Sequence, residues 1–258
     1  MIERRIDETI DAMIDAIDDV LLTTSSLARD LSEDDAELPT ECPGWTVRDQ
    51  LAHMVGLEQV LSGSPHPHIE LPPLDHVSSE IDVYMEQQVH VRRLLALSAI
   101  ADEMAGLRPR RISELRRLAA DGDQMVAGPF GERLLSASLP IRVFDLWVHE
   151  QDIRRAVGLP VRTDCDAADV ALERSLLGWS TALPKRLAVD AELVISVTGP
   201  NPSETRITVG EGGPTVTLSG DVGQLTRWFC GRATPAESDV TGELALVEAV
   251  RNSLAMTP

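Results

Sequence analysis

The sequence predicts an α+β protein in which an N-terminal helical bundle is followed by a smaller module of strands and helices. Three observations carry this expectation. Apolar residues at the start of the chain recur in steps of three and four, the helical period. Proline and glycine clusters then divide the chain into helix-length segments as far as residue 158. β-Branched runs of period two appear only after residue 190. A chain of 258 residues, 43% hydrophobic and 25% charged, has globular proportions and exceeds the usual single-domain size. The expected division is residues 1–158 for the bundle and 159–258 for the α+β domain.

The first helix follows the stripe Ile2, Ile6, Ile10, Met13, Ile17, Val20, Thr24, Leu27 and Leu31, with acidic residues between. It stops before the polar Ser32-Glu33-Asp34-Asp35. Thr46, with Asp49 three residues on, gives a capping-box signal for a second helix over 47–61. Four prolines and a glycine make 62–73 a loop. A third helix is expected over 79–105, punctuation at Gly106 to Pro109, and a further helical piece over 110–126. After Gly128-Pro129-Phe130-Gly131, Ser138 is the candidate N-cap of a helix with Pro140 in its first turn and Gly158 just past its end. One more helix is expected over 167–187. Strands are expected over 192–198, 205–209 and 215–219, the last two joined as a β-hairpin through Gly210-Glu211-Gly212-Gly213. Helices over 221–230 and 243–255 complete the module.

The formal charge of -19 argues against a nucleic-acid or anionic-membrane partner, since both need basic residues at the contact. The acidic amphipathic start Met1-Ile2-Glu3-Arg4-Arg5 lacks the apolar core of a secretory signal, and no apolar run approaches the roughly 20 residues that span a bilayer. The expected compartment is the cytoplasm. Cys42, Cys165 and Cys230 are widely spaced without a CxxC pair, which disfavours a disulfide framework or a thiolate zinc site.

The histidines divide in the same way. His66, His68 and His76 fall in or beside the proline-rich loop, and His90 has Glu86 one turn earlier as an exposed ion-pair partner. Asp145 and His149, four apart, share one helix face, with Asp152 at the next turn. Such a pair serves either as a local ion pair or as two ligands of one metal. In the second case His53 on the second helix is the natural third donor, with Gly56 leaving room for a ligand beside it, and an open coordination position remains. Asp152 would then orient His149 or a bound thiol, although Arg155 and Arg48 are also available to it. Trp45 and Trp147 suit a cavity wall or the core. Cys42 reads as a small buried side chain. Arg227 and Arg232 flank Trp228 to Gly231, where a guanidinium could meet an anionic substrate or a surface carboxylate.

Two stretches are more specific. Cys42-Pro43-Gly44-Trp45-Thr46-Val47-Arg48-Asp49-Gln50-Leu51-Ala52-His53, with Phe144-Asp145-Leu146-Trp147-Val148-His149-Glu150-Gln151-Asp152-Ile153-Arg154-Arg155, closely resembles the mycothiol-dependent maleylpyruvate isomerase family. The resemblance implies a DinB-like four-helix bundle with one histidine on its second helix and two ligands four apart on its last. It also implies a C-terminal domain of the sterol-carrier-like type. His53, Asp145 and His149 stand at the implied metal positions. Where the wider group often has two histidines, or a glutamate with a histidine, on the last helix, this chain has the shorter Asp145.

The resemblance further implies a divalent metal, zinc or a similar ion, with mycothiol as co-substrate. A metal-bound thiol loses its proton near neutral pH, and the thiolate is the nucleophile. In an isomerase it would add to the double bond of a keto diacid, permit rotation and leave; in a transferase the adduct with a small electrophile would be kept. The alternative is a non-catalytic metal-binding or ligand-binding regulatory protein on the same fold.

Overall fold

The computed structural model describes residues 2–257, with side chains from residue 9 onward; Met1 and the predicted stripe positions Ile2 and Ile6 lie outside the described side chains. The chain divides into two compact units, Met1–Val161 and Arg162–Pro258.

The first unit contains α1 (Ile2–Asp30), α2 (Glu33–Ala36), α3 (Val47–Leu61), α4 (Glu80–His90), α5 (Leu97–Ala120), the two-residue strands β1 (Met125–Val126) and β2 (Arg133–Leu134), and α6 (Leu135–Ala156). Helices α1 and α3 each pack against α5 and α6, giving a four-helix bundle, and α4 leans on α3. The side of α1 that enters the core is wider than the predicted stripe. Ile10, Ile14, Ile17, Leu21, Thr24 and Ala28 are buried, while Met13 and Leu27 sit at its margin. Helix α3 begins as expected, with the Thr46 hydroxyl accepting from Asp49 N and the Asp49 carboxylate accepting from Thr46 N.

The predicted third helix is two helices. It breaks after His90, and Arg92 folds inward to Gln59 and Glu103, while Arg93 reaches Asp49 and Glu86. Arginine is a good helix former, so Arg92 and Arg93 give no local signal of this turn, in which both side chains make long-range charge pairs. The predicted stop at Gly106 to Pro109 is instead helix interior. A proline there costs about 3 kcal/mol. Burial of Ile100, Met104, Leu107, Ile112 and Leu115 on both sides of it outweighs that cost, at roughly 1.5–3 kcal/mol for each large aliphatic side chain. Residues 125 and 126, expected to be helical, form β1, which pairs antiparallel with β2 across the Gly128 to Gly131 turn. Helix α6 also starts earlier than Ser138. It follows directly from β2, its first turn is tied down by Ser136 bonding to Asp123, and Pro140 lies inside it. Gly158, at φ +72°, ends it where expected.

The second unit contains α7 (Asp166–Arg186), β3 (Ala191–Val197), β4 (Ser203–Val209), β5 (Thr215–Gly220), α8 (Val222–Phe229), a 3-10 turn (Glu237–Asp239), β6 (Val240–Thr241) and α9 (Leu244–Arg251). The sheet order is β4-β3-β5-β6, so the expected hairpin of the second and third strands does not form. β3 lies between them, antiparallel to β4 and parallel to β5, with Leu193 opposite both Ile207 and Val216. The glycine-rich turn does reverse the chain, with Gly210 and Gly212 at positive φ. Neighbours in the sheet are chosen by burial, however, and β3 alone is covered along nearly its whole length, as a central strand must be. Trp179 of α7 is fully buried, donates from Nε1 to Leu254 O at 2.8 Å and meets Phe229 edge to face.

Candidate metal centre

Among the described residues, His53, Asp145 and His149 form the one group of three or more potential metal-ligating side chains, their donor atoms all within 4.8 Å of one another. Helix α3 supplies the first and successive turns of α6 supply the others. His53 Nε2 lies 3.4 Å from Asp145 Oδ2, and His149 Nε2 lies 3.7 Å from Asp145 Oδ1. A tetrahedral zinc site with bonds of 2.0–2.1 Å has ligand atoms about 3.3 Å apart, and donors gathered within 4.8 Å of one another are near enough to contract onto one ion.

Their protonation suits a cation. Burial disfavours the imidazolium of His53 and, against the pull of Asp145, lowers its pKa, keeping a neutral donor ring. Burial opposes ionisation of Asp145 too, but the guanidinium of Arg142 and the two imidazoles outweigh it and hold the carboxyl well below the usual carboxylate range. The tautomer of His149 follows from its neighbours. The Thr40 hydroxyl donates to Trp45 O at 2.8 Å, so it must accept from Gln50, which makes that amide atom the nitrogen Nε2, at 2.7 Å. The other amide atom is then the oxygen, and it accepts from His149 Nδ1 at 2.5 Å. In the neutral ring this tautomer puts the lone pair on Nε2, the nitrogen that faces Asp145.

Trp45 lies against both imidazoles, its ring centroid 4.9 Å from His53 and 5.8 Å from His149. Its Nε1 donates to Glu86 Oε2 at 2.9 Å, and Glu86, almost fully buried, also meets His76 and Arg93. The expected exposed pair of Glu86 with His90 is thus replaced by a buried network. The His76 ring lies so close to Gly44, at φ +78°, that a Cβ there would clash with it. Trp147, by contrast, is wholly in the core, and Cys42 is buried.

Asp152 is fully buried, with Oδ2 3.8 Å from His149 Nδ1 and Oδ1 3.9 Å from Arg155. Gln50 is the nearer partner of that imidazole. Arg48 is taken by Glu33 and Glu37. Gly56 does not make room for a ligand: a Cβ there would come within 2.9 Å of the Gln88 side chain, so the glycine admits α4 against α3. His66 stacks on Tyr84, with ring centroids 3.9 Å apart. Arg227 and Arg232 lie in the second unit, Arg227 on α8. Sequence reading missed Gln50, and it missed Glu58 and Arg142, which join the cluster through a buried ion pair at 2.9 Å. Of these only Arg142 carried a local signal, three residues before Asp145 on one helix face.

In the described residues no helix is long and apolar enough to cross a membrane. No curated protein matches the chain in sequence. Its fold is similar to the crystal structure of the mycothiol-dependent maleylpyruvate isomerase, with TM-score 0.61 and 18% identity over 91% of this chain and 92% of that one. A histidine-to-alanine mutant of that isomerase matches over the same shares with TM-score 0.61 and 17% identity. At such identities the likeness is one of fold. The family model described as the mycothiol maleylpyruvate isomerase N-terminal domain matches residues 20–154, more than half of the chain and the whole stretch from His53 to His149. With that match over the bundle that carries the donor cluster, the chain belongs to the mycothiol-dependent maleylpyruvate isomerase family.

Proposed function

We propose that the protein is a metal-dependent mycothiol isomerase or S-transferase acting on a small electrophile, with His53, Asp145 and His149 holding one divalent cation, zinc by preference. The observation that carries this reading is the convergence of two imidazoles and one carboxylate within 4.8 Å on the family's own bundle. When bound, the cation lowers the pKa of a thiol sharing its coordination, so that thiolate is available near neutral pH. The chain's residues do the rest. Two neutral imidazoles and one carboxylate offset a single positive charge of a dication, leaving the site cationic and receptive to an anionic sulfur. Gln50 and, at longer range, Asp152 orient His149. The Trp45 ring over both imidazoles limits water at the donors.

Zinc-loaded protein incubated with mycothiol and either maleylpyruvate or monochlorobimane is expected to consume the electrophile at a rate that falls to background on chelation. A rate no greater than background for every electrophile would leave a metal-binding protein without catalysis. Replacing Gln50 by Leu should weaken zinc binding about 10–100-fold by freeing the His149 tautomer. Competition with a chromophoric chelator measures this, and an unchanged affinity would remove Gln50 from the site.

A further inference from the structure

Asp145 is the most exposed donor of the cluster, with a quarter of its side chain accessible, against 2% for His53 and 9% for His149. A short carboxylate so placed should be free to rotate, to bind a cation through both oxygens, or to turn toward water. The structure removes that freedom. Asp145 Oδ2 accepts from Arg142 Nη1 at 3.0 Å. Arg142 is itself fixed, because its Nε donates to Glu58 Oε1 at 2.9 Å and its Nη2 lies 2.9 Å from the same oxygen. Glu58, with no accessible surface, holds Arg111 Nε on its other oxygen at 2.7 Å, and Arg111 continues to Glu114. The chain of charges runs from α5 through α3 to α6 and ends on the donor cluster. The guanidiniums of Arg111 and Arg142 face the buried carboxylate of Glu58 from two sides, and each then meets one further, part-exposed carboxylate, Glu114 at one end and Asp145 at the other.

A network that merely joined helices would need no contact with Asp145. Resting on the metal reading above, we propose that Arg142, anchored by Glu58, is a positioning residue that engages one oxygen of Asp145. Asp145 then offers the cation a single oxygen, and the position that a chelating carboxylate would fill stays open for the thiol. This also accounts for an aspartate here. Its reach is short, but a guanidinium one turn away on the same helix fixes where it points.

Cobalt(II) in place of zinc makes the coordination visible, because four-coordinate cobalt absorbs far more strongly than five- or six-coordinate cobalt. The full chain, R142K and R142M are compared, with 2-mercaptoethanol as the thiol probe. R142K keeps a cation beside Glu58 and so guards against failure to fold, which circular dichroism checks; if R142M does not fold, R142K alone decides. Both folded variants are expected to bind cobalt about 10–100-fold more weakly. They should also show weaker visible bands and a smaller sulfur-to-cobalt charge-transfer band at equal thiol. A purely structural role would lower the unfolding midpoint and leave those spectra unchanged. Wild-type affinity and spectra in the folded variants would overturn the proposal while the metal reading stands. Failure of the unaltered protein to take up cobalt would sink that reading, and this proposal with it.

Discussion

Replacing His53 or His149 with Ala is expected to reduce bound zinc from about one per chain to a small fraction, as measured by elemental analysis after dialysis. Each replacement removes one of three donors and leaves a two-ligand remnant of low affinity. Helical circular dichroism should persist, because the bundle is held by an apolar core that includes Ile14, Ile17, Leu51, Met54, Leu146 and Trp147, all fully buried. Unchanged stoichiometry in both variants would remove the site. Loss of the helical signal with the metal would make its role structural, with the ion contributing directly to folding.

The second large effect is expected at Glu58, which makes no direct contact with the proposed ligands. Glu58→Leu strands Arg111 and Arg142 in the interior, and removing one partner of a buried charge pair costs about 3–5 kcal/mol, to be read from urea unfolding. Replacing Glu58, Arg111 and Arg142 together by apolar residues should recover most of that loss, because the carboxylates that then lose a guanidinium, Asp145 and Glu114, each reach water with about a quarter of the side chain. A Glu58→Leu cost below about 1 kcal/mol would show that water reaches the arginines, and the pair would then count as a surface one.

The pH dependence has a definite sign. Burial raises the pKa of Glu58, but Arg142 and Arg111 outweigh it and bring the carboxyl below its ordinary 4.5. Unfolding therefore takes up a proton between the folded and unfolded values. Stability from this group is complete above about pH 4.5 and is lost as pH falls toward the folded value. Asp145 is depressed as well, so its contribution is complete above about pH 3.8 and is lost only at more acid pH. The stability difference between the unaltered protein and Glu58→Gln, followed from neutral to acid pH, should shrink as Glu58 protonates. A constant difference down to about pH 3 would contradict the buried pairing.

Local signals served well where one short segment carries the decision. The capping box at Thr46, the terminating Gly158 and the four-residue spacing of Asp145 and His149 were legible because the determining contacts lie within one turn of helix. His53 was legible as the natural third donor from its place on the second helix, and the resemblance of the two motifs set all three at implied metal positions. Where competing segments had to be compared, the sequence was silent or misleading. Glycines at 210 and 212 mark a reversal, but only the burial of Ala191–Val197 makes β3 the strand that separates β4 from β5. Gly56 reads as space for a ligand, but the approach of Gln88 shows that it makes space for a helix.

By itself, then, the amino-acid sequence determined which residue types could bind a cation, the class of fold that carries them and the family to which the bundle belongs. The tertiary structure alone decided that α3 brings His53 against two turns of α6, that Gln50 selects the tautomer of His149, and that Glu58 and Arg142 fix Asp145. The physical reason is sequence separation. Glu58 and Arg142 are 84 residues apart, and Gln50 and His149 are 99 apart, so neither pairing leaves a periodic trace along the chain. Each arises only when helices pack closely enough that a buried charge or amide must find its partner across the bundle.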